Sequence, residues 1–388
     1  MVGRRGKPPR VAAQLRLTRA PSGRQPVRPT AILRRMSLAP RRILIVKPSS
    51  LGDIVHALAV LAELRRAYPS AHVAWLVSDG FAPLLEGHPL LDEVLTFDRA
   101  RYGRMWRSPR VLLDFWRFVA AVRRRRFDLV IDLQGLARSG LLSYLSGARE
   151  RCGFADAREG AWLFYTRRVA SAAHTAHAVD RNLALLRALG LPSERPQFPL
   201  AVRPEERAAA RSLLTRAAGE AVGPFTAVIP GARWETKRWP AERFAELIDR
   251  MHAAGLPRCV LLGAPADRAA AAAVAAACHR RPIDLVGLTT LRELVALLEL
   301  ADRVVGHDSG PLHIAAALGK PIVALFGPTN PARTGPYCDS ATVVTCAVPC
   351  APCYRRVCPY GHHDCLRRLE VETVLAAITN TGRVRTGS

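Results

Sequence analysis

Apolar and polar positions along the chain fall into two series of short strand patterns and longer helix patterns. In the first series, apolar, β-rich runs at Arg42–Lys47, His72–Val77 and Phe127–Leu133 predict strands. The stretch Ile54–Tyr68 carries apolar residues at helical spacing and ends before Pro69, so it predicts a helix. Strands that alternate with helices indicate a parallel sheet with helices on both faces.

The second half of the chain repeats this alternation after a break. The break is Pro- and charge-rich sequence from Leu191 to Arg207, which predicts a linker that we assign to residues 201–222. The predicted strands that follow are Thr226–Ile229, Cys259–Leu262, Arg303–Gly306 and Ile322–Phe326, and the predicted helices are Ala241–Ala254, Leu291–Leu300 and Leu312–Leu318. We therefore expect an N-terminal domain over residues 41–200 and a C-terminal domain over residues 223–388.

The predicted fold class is α/β, with two doubly wound domains facing a cleft. In such sheets ligands bind outside the carboxyl ends of the strands. Two strand–loop–helix turns occupy that position, one ending at Asp53 and one starting at Asp308. The chain has 388 residues, of which 49% are hydrophobic, so a large core is possible. No apolar run approaches about 18 residues, so we predict no transmembrane helix.

Charge changes the picture at the N terminus. The formal net charge is +25, and residues 1–40 contribute ten basic residues and no acid. This Pro- and Arg-rich segment lacks hydrophobic periodicity, so we predict a disordered basic extension outside the fold. A transit peptide and a translation start at Met36 are two alternative explanations of it.

The turn that starts at Asp308 has the features of a phosphate site. The sequence DSGPLH ends a predicted strand and opens a helix, whose free N–H groups and dipole favour an anion. Ser309 can add a hydroxyl donor, Gly310 allows close backbone approach, and His313 can donate to a phosphate oxygen. The alternative is a plain helix start, with Asp308 or Ser309 as the N-cap and His313 merely packed nearby.

Two other positions suggest chemistry near this turn. Lys237 could neutralise the charge of a leaving diphosphate, although a single loop lysine is more often solvated. Asp53 could take a proton from an attacking hydroxyl, or it could simply cap its helix. Gly52 would leave room for an acceptor beside it. His56 shares the helix face of Asp53 and is more often a packed histidine than a pocket residue.

Several motifs lie between about Arg41 and Ala377: ILIVKPSSLGDIVHALAVL, FDLVIDLQGLARSG, AREGAWLFYTRRV with a following HAVDRN, TKRWP, and DSGPLHIAAALGKPIVALFGPTNP. Together they resemble glycosyltransferase family 9, the lipopolysaccharide heptosyltransferases. The pattern is most similar to the heptosyltransferase I members, and Ser309 stands where those often have threonine.

This resemblance implies a GT-B-type fold, an inverting transfer and roles for matching residues. Asp53 would be the catalytic base. The implied donor contacts are Lys237, Asp308, Ser309, Gly310 and His313, and the candidate acceptor contacts are Ser50, Gly52, His56, Arg99 and Arg101. The implied donor is ADP-heptose and the implied acceptor is the Kdo/inner-core region of lipopolysaccharide. No cofactor is required, and we expect a cytoplasmic monomer that lies peripherally on the anionic inner membrane.

The Cys-rich end departs from the heptosyltransferase I pattern, so a different sugar or acceptor within the family is an alternative. The segment holds Cys350, Cys353, Cys358 and Cys365 with two histidines between the last two. These four cysteines are weak zinc candidates, because only one C-x-x-C pair is present. Packed thiols are the favoured interpretation, so we predict no metal.

Residues 99–126 form a basic region with interleaved aromatic residues. Nucleic-acid binding fits this composition, yet no known nucleic-acid module is recognisable, and we expect no such partner. A solvated helix face, or a face that meets an anionic lipid surface, fits better. A sugar-nucleotide epimerase or hydrolase on the same fold is a further alternative, since it would consume donor without an acceptor.

Overall fold

The computed structural model describes residues 15–19, 39–170, 176–191 and 195–381. In that part of the chain, two sheets form the centres of two domains. The strands are β1 (Leu15–Arg19), β2 (Arg42–Val46), β3 (His72–Ser78), β4 (Glu93–Phe97), β5 (Leu129–Asp132), β6 (Glu150–Phe154), β7 (Arg167–Val169), β8 (Phe225–Ile229), β9 (Arg258–Leu261), β10 (Ile283–Asp284), β11 (Arg303–His307), β12 (Ile322–Phe326) and β13 (Ala341–Cys346).

Helices cover these sheets. They are α1 (Leu51–Ala67), α2 (Arg99–Tyr102), α3 (Pro109–Arg124), α4 (Ala137–Leu145), α5 (Ala178–Ala188), α6 (Pro204–Ala218), α7 (Ala241–Ala253), α8 (Arg268–Ala277), α9 (Leu291–Leu300), α10 (Gly310–Ala317), α11 (Pro331–Thr334), α12 (Asp364–Arg367) and α13 (Val371–Thr381). None of the helices in the described ranges has the length and apolar character needed to cross a membrane.

The N-terminal sheet has the strand order β4-β3-β2-β5-β6-β7, and all its pairings are parallel. The chain reverses its direction of winding between β2 and β5. In an open α/β sheet a ligand crevice forms at such a point, outside the carboxyl ends of the two strands. The loop that leads from β2 to Asp53 starts there.

The C-terminal sheet has the order β1-β13-β12-β11-β8-β9-β10. Its reversal lies between β8 and β11, which pair in parallel. The turn at Asp308 follows β11 directly, so it also opens at a crevice. Both turns singled out in the sequence therefore lie where doubly wound sheets bind ligands, and the predicted fold class is confirmed.

Apolar runs explain the central strands. Ile43 to Val46 in β2 have no exposed surface, since helices cover both faces of the sheet. The same holds for Val304 and Val305 in β11. Continuous burial leaves these strands no polar face, and it concentrates the polar side chains of this region in the loops at the strand ends.

Two boundary predictions differ from the structure. Residues 1–40 were predicted to be disordered, but Leu15–Arg19 pairs antiparallel with β13. The segment LRLTR alternates apolar and polar residues, as a strand does, but its Arg- and Pro-rich surroundings obscure this pattern. The other residues up to 38 lie outside the described ranges. The predicted linker 201–222 contains α6, which begins at Pro204, a residue that favours a first helical turn.

Helix α6 packs on the C-terminal domain rather than spanning between domains. Glu206 accepts hydrogen bonds from Arg292 of α9 at 2.5 and 2.7 Å, and Arg207 pairs with Glu299 of the same helix. Charged residues that suggested a solvated linker thus hold a helix in place.

Candidate functional site

The two turns meet at the domain boundary. A Cβ atom on Gly52 would overlap the imidazole of His313, and one on Gly310 would lie 2.7 Å from Leu51 Cδ2. Helices α1 and α10 therefore start against each other, and each start requires a glycine for that reason. The space beside Gly52, which we expected to admit an acceptor, is filled by His313. Gly310 admits Leu51 of the other domain.

Asp308 is the centre of a buried polar cluster. Its Oδ2 accepts hydrogen bonds from Lys237 Nζ at 2.6 Å and from Thr329 Oγ1 at 2.7 Å. His313 Nε2 faces Oδ1 at 3.8 Å, an electrostatic contact rather than a hydrogen bond. Burial raises the pKa of Asp308, but His313 and Lys237 outweigh it and hold the pKa at about 2. The carboxylate is therefore ionised.

Lys237 is held rather than solvated. It ends the short turn Glu235–Lys237, its Nζ lies 4.6 Å from the ring centroid of Trp234, and 16% of its side chain is exposed. The structure thus brings together Lys237 and Asp308, two of the residues predicted to contact the donor. Thr329 was missed from the sequence; its only signal was its place in a loop directly after β12.

Ser309 has an unused hydroxyl at the start of a helix. It precedes Gly310, the first residue of α10, as the N-cap. Its Oγ is buried and has no hydrogen-bond partner among the described residues. A buried polar group without a partner is costly, and here it lies at the positive end of the α10 dipole. An anion that binds there would accept a hydrogen bond from the hydroxyl and would be favoured by the dipole.

Asp53 is the third residue of α1 rather than its N-cap, which is Ser50, and the two residues form a capping box. Asp53 Oδ2 accepts hydrogen bonds from Ser50 N at 3.0 Å and Ser50 Oγ at 2.6 Å. Burial raises the pKa of Asp53, but Lys47, the Ser50 bonds and His313 outweigh it, and the pKa lies below its usual range. Both bonds go to Oδ2, so Oδ1 is the oxygen that could accept a proton. Ser50 is thus a partner of Asp53.

The loop before Asp53 is braced by the neighbouring strand β5. Lys47 Nζ donates to the Leu133 carbonyl at 3.1 Å, and Ser49 N donates to Gln134 Oε1 at 3.4 Å. Asp132 in turn accepts from the Gln134 and Gly135 N–H groups and from the Tyr165 hydroxyl. The roles of Lys47 and Ser49 could not be predicted from local pattern, because their partners lie 86 and 85 positions away in the sequence.

Three buried histidines lie where the domains meet. His56 Nε2 lies 3.1 Å from His313 Nδ1, and its ring packs at 5.3 Å from that of His177. His56 is thus a packed histidine, and its proposed acceptor contact is replaced by an interdomain one. His313 was expected to donate to a phosphate; its Nδ1 faces His56, so only its Nε2 could have that role. His177 was not predicted as a site residue, because the motif HAVDRN does not indicate which residues lie near it in the fold.

The arginines proposed for the acceptor lie farther away. Arg99 and Arg101 belong to the short helix α2 after β4, and both are exposed. Two strand spacings separate β4 from β2, about 10 Å. Arg101 pairs with Asp114 of α3. These side chains therefore face the same edge of the sheet as Asp53 but belong to an outlying, basic part of it.

The four clustered cysteines do converge. Together with His362 and His363 they line a cavity of about 20 Å³, roughly the room one water molecule needs. Burial raises the pKa of Cys365 to about 12, and the neighbouring thiols act in the same direction. Across the described ranges, no three Cys, His, Asp or Glu side chains are arranged to hold a metal ion. Among the described residues no disulfide joins these cysteines, and they pack around a small cavity.

We expect acid to weaken the domain boundary through His177. Burial lowers the pKa of His177 to about 4; nearby His313 acts in the same direction, while the Gly335 carbonyl and Asp180 act against it. A folded pKa below the unfolded value of about 6.5 means that the stability is present above that value and is lost as pH falls toward 4, by roughly 3 kcal/mol.

Urea unfolding of the wild type and of His177→Gln, at pH 7.5 and at pH 4.5, measures this contribution. The free energy of unfolding should fall more for the wild type than for the variant. Equal losses in both proteins would assign the acid sensitivity to other groups.

Comparisons with known proteins agree with this architecture. The family model described as glycosyltransferase family 9 (heptosyltransferase) matches residues 115–363. The chain is 33% identical to lipopolysaccharide heptosyltransferase 1 of Pseudomonas aeruginosa over 322 residues, 82% of this chain and 88% of that protein. It is 30% identical to lipopolysaccharide heptosyltransferase 1 of Escherichia coli K12, over 76% of this chain and 91% of that one.

Solved structures give the same result. A family 9 glycosyltransferase from Veillonella parvula superposes with a TM-score of 0.77 at 26% identity, covering 89% of this chain and 98% of that one. The E. coli heptosyltransferase WaaC with ADP gives a TM-score of 0.69 at 29% identity, covering 88% and 99%. A further structure of WaaC contains ADP-2-deoxy-2-fluoro heptose.

Proposed function

The chain belongs to glycosyltransferase family 9, the heptosyltransferase family, and from that premise we propose that it moves heptose from ADP-heptose to the Kdo/inner-core region of lipopolysaccharide. The observation that carries the proposal is the meeting of two helix starts. One start holds a buried Lys237–Asp308 pair and a Ser309 hydroxyl without a partner among the described residues, and the other holds the ionised Asp53.

The C-terminal turn is suited to a nucleoside diphosphate. Lys237 supplies a positive charge that Asp308 holds in one position, in a site with little exposure to water. The start of α10 supplies the positive end of a helix dipole and the Ser309 hydroxyl. Such donors, fixed before the reaction, stabilise negative charge as it develops on a departing diphosphate.

The N-terminal turn supplies the base. Asp53 takes the proton from an acceptor hydroxyl, and that oxygen attacks the anomeric carbon. The bond from that carbon to the β-phosphate oxygen breaks, ADP leaves, and the configuration at the anomeric carbon inverts. Because the pKa of Asp53 is low, the carboxylate is ionised over the whole physiological range but is a weak base. Orientation must therefore contribute much of the rate.

A basic, aromatic surface supports a peripheral membrane location. Around α2 and α3, Trp106 is 82% exposed and Trp116 is 50% exposed, amid many arginines. Tryptophan favours the membrane interface and arginine favours anionic headgroups. This surface lies on the acceptor domain, at the strand-end edge that also carries Asp53, so a lipid-linked acceptor would be presented from that side.

Removal of two arginines from this surface should weaken binding to anionic vesicles. Arg107 and Arg110 are both exposed, and each contributes about 1 kcal/mol near an anionic surface, so Arg107→Gln/Arg110→Gln should lower binding about 30-fold. Vesicle co-sedimentation at low salt measures this. The matched control is Arg211→Gln/Arg216→Gln on exposed positions of α6, which removes the same charge from the other domain. Equal losses in both variants would mean that net charge alone governs binding.

A donor panel tests the sugar and the nucleotide. ADP-heptose, ADP-glucose, UDP-glucose and GDP-mannose are each incubated with a Kdo-bearing lipid A acceptor, and the products are identified by mass spectrometry. The proposal predicts product with ADP-heptose at a kcat/KM well above that of the others. Preference for another donor would favour the alternative of a family 9 enzyme with a different sugar, to which the Cys-rich end first pointed.

A further inference from the structure

A chain of polar contacts runs from the donor turn across the domain boundary to the helix of the base. Lys237 binds Asp308, Asp308 faces His313, and His313 Nδ1 lies 3.1 Å from His56 Nε2. His56 lies one helical turn after Asp53 in α1. It is 4% exposed, so it does not face an open acceptor site.

The charge of Asp308 determines which ring nitrogens of His313 and His56 carry a hydrogen. His313 Nε2 faces the ionised Asp308, which favours the hydrogen on that nitrogen and leaves Nδ1 as an acceptor. His56 Nε2 must then carry the hydrogen and donate. His56 Nδ1 remains a buried acceptor with no partner in the part of the chain that the structure describes. The one N–H group of His56 therefore donates to a residue of the other domain.

A second contact holds the same boundary beside it. Val179 N donates to His177 Nδ1 at 3.2 Å, so His177 Nε2 carries the hydrogen and donates to the Gly335 carbonyl at 3.0 Å. The Tyr337 hydroxyl donates to Asp180 at 2.9 Å. Since these contacts join the start of α5 to the C-terminal domain, His56 can act on the two turns without having to hold the domains together alone.

We propose that His56 is a positioning residue for the transfer: its hydrogen bond to His313 holds the turn of Asp53 in register with the turn that binds the donor diphosphate. The inference rests on the proposed function. In this arrangement two residues orient the His313 ring. Its Nε2 faces Asp308, and its Nδ1 accepts the hydrogen bond from His56. His56 acts through His313 and touches neither sugar.

Two replacements of His56 distinguish the effect of its hydrogen bond from the effect of its side-chain volume. Glutamine places an N–H group near the position of His56 Nε2, whereas leucine keeps volume and has no donor. We expect His56→Leu to lower kcat by about 10–100-fold, as misplacement of reacting groups does, with the KM for ADP-heptose changed less than threefold. His56→Gln should recover most of the rate. A merely structural histidine would not show this rescue.

The matched control is His88→Leu. His88 is a buried histidine, 7% exposed, whose Nε2 binds the Pro199 carbonyl at 2.8 Å, away from both turns. Its loss should lower the melting temperature and leave kcat unchanged. A His56→Leu protein that is folded and retains kcat within twofold of wild type would overturn the inference, as would a glutamine variant as slow as the leucine variant.

The activity of the wild type keeps the inference separate from the proposed function. A wild type without heptosyl transfer would defeat the proposed function. A wild type that transfers heptose, together with a folded His56→Leu protein that is equally fast, would defeat the positioning role alone.

Discussion

Replacement of Asp53 by asparagine should slow transfer by about 10²–10⁴-fold, the range for loss of a general base. Asparagine keeps an oxygen that can accept the Ser50 N–H, so the helix start is preserved. It cannot take a proton from the acceptor hydroxyl. The substitution therefore separates the two roles that the sequence left equally open. Initial rates of product formation at saturating donor measure the effect, and circular dichroism checks the fold.

The matched control for Asp53 is Ser50→Ala. It removes the hydroxyl bond to Asp53 Oδ2 and leaves the carboxylate and the backbone bond in place. We expect a rate within about fivefold of the wild type and a small loss of stability, of about 1 kcal/mol. If Asp53→Asn is as active as the control, Asp53 is a cap only and the base lies elsewhere.

Replacement of Lys237 by methionine should lower kcat by about 10²–10³-fold, the effect of losing one preset donor to developing negative charge. It also leaves Asp308 buried, ionised and with one hydrogen-bonded partner fewer, so the protein should lose stability as well. The rate of transfer and the melting temperature are measured on the same preparation.

A double variant separates the chemistry of Lys237 from its structural role. In Lys237→Met/Asp308→Asn the buried negative charge is removed together with its partner, so much of the melting temperature should return. The rate should not, because the positive charge that stabilises the departing diphosphate is still absent. Recovery of the rate together with the stability would show that Lys237 acts only by neutralising Asp308.

The positions of both turns were predictable because they follow from local patterns. Apolar runs fix the strands, the polar residues at their carboxyl ends mark the loops, and the helix at Gly310 was recognisable from its own residues. A capping role for Asp53 was also predicted as one of two alternatives, although the structure has Ser50 as the N-cap and Asp53 as its capping-box partner. The local sequence could not decide whether Asp53 is a cap or a base, because both roles use the same carboxylate.

What the sequence missed depends on contacts between distant segments. Thr329 reaches Asp308 from another strand end, and His177 meets Gly335 across the domain boundary. Gly52 shows the limit best: a glycine next to a candidate base suggested room for a substrate, but His313 from the other domain occupies that space. No periodicity in α1 could reveal which helix packs against it.

Dependence of ADP release on acceptor tests the central claim most directly. The full chain is incubated with ADP-heptose, with and without the Kdo-bearing lipid A acceptor, and ADP and product are quantified together. We expect ADP to appear only with acceptor, one molecule for each heptose transferred with inversion. ADP released at the same rate without acceptor would contradict it and would point to a hydrolase on the same fold.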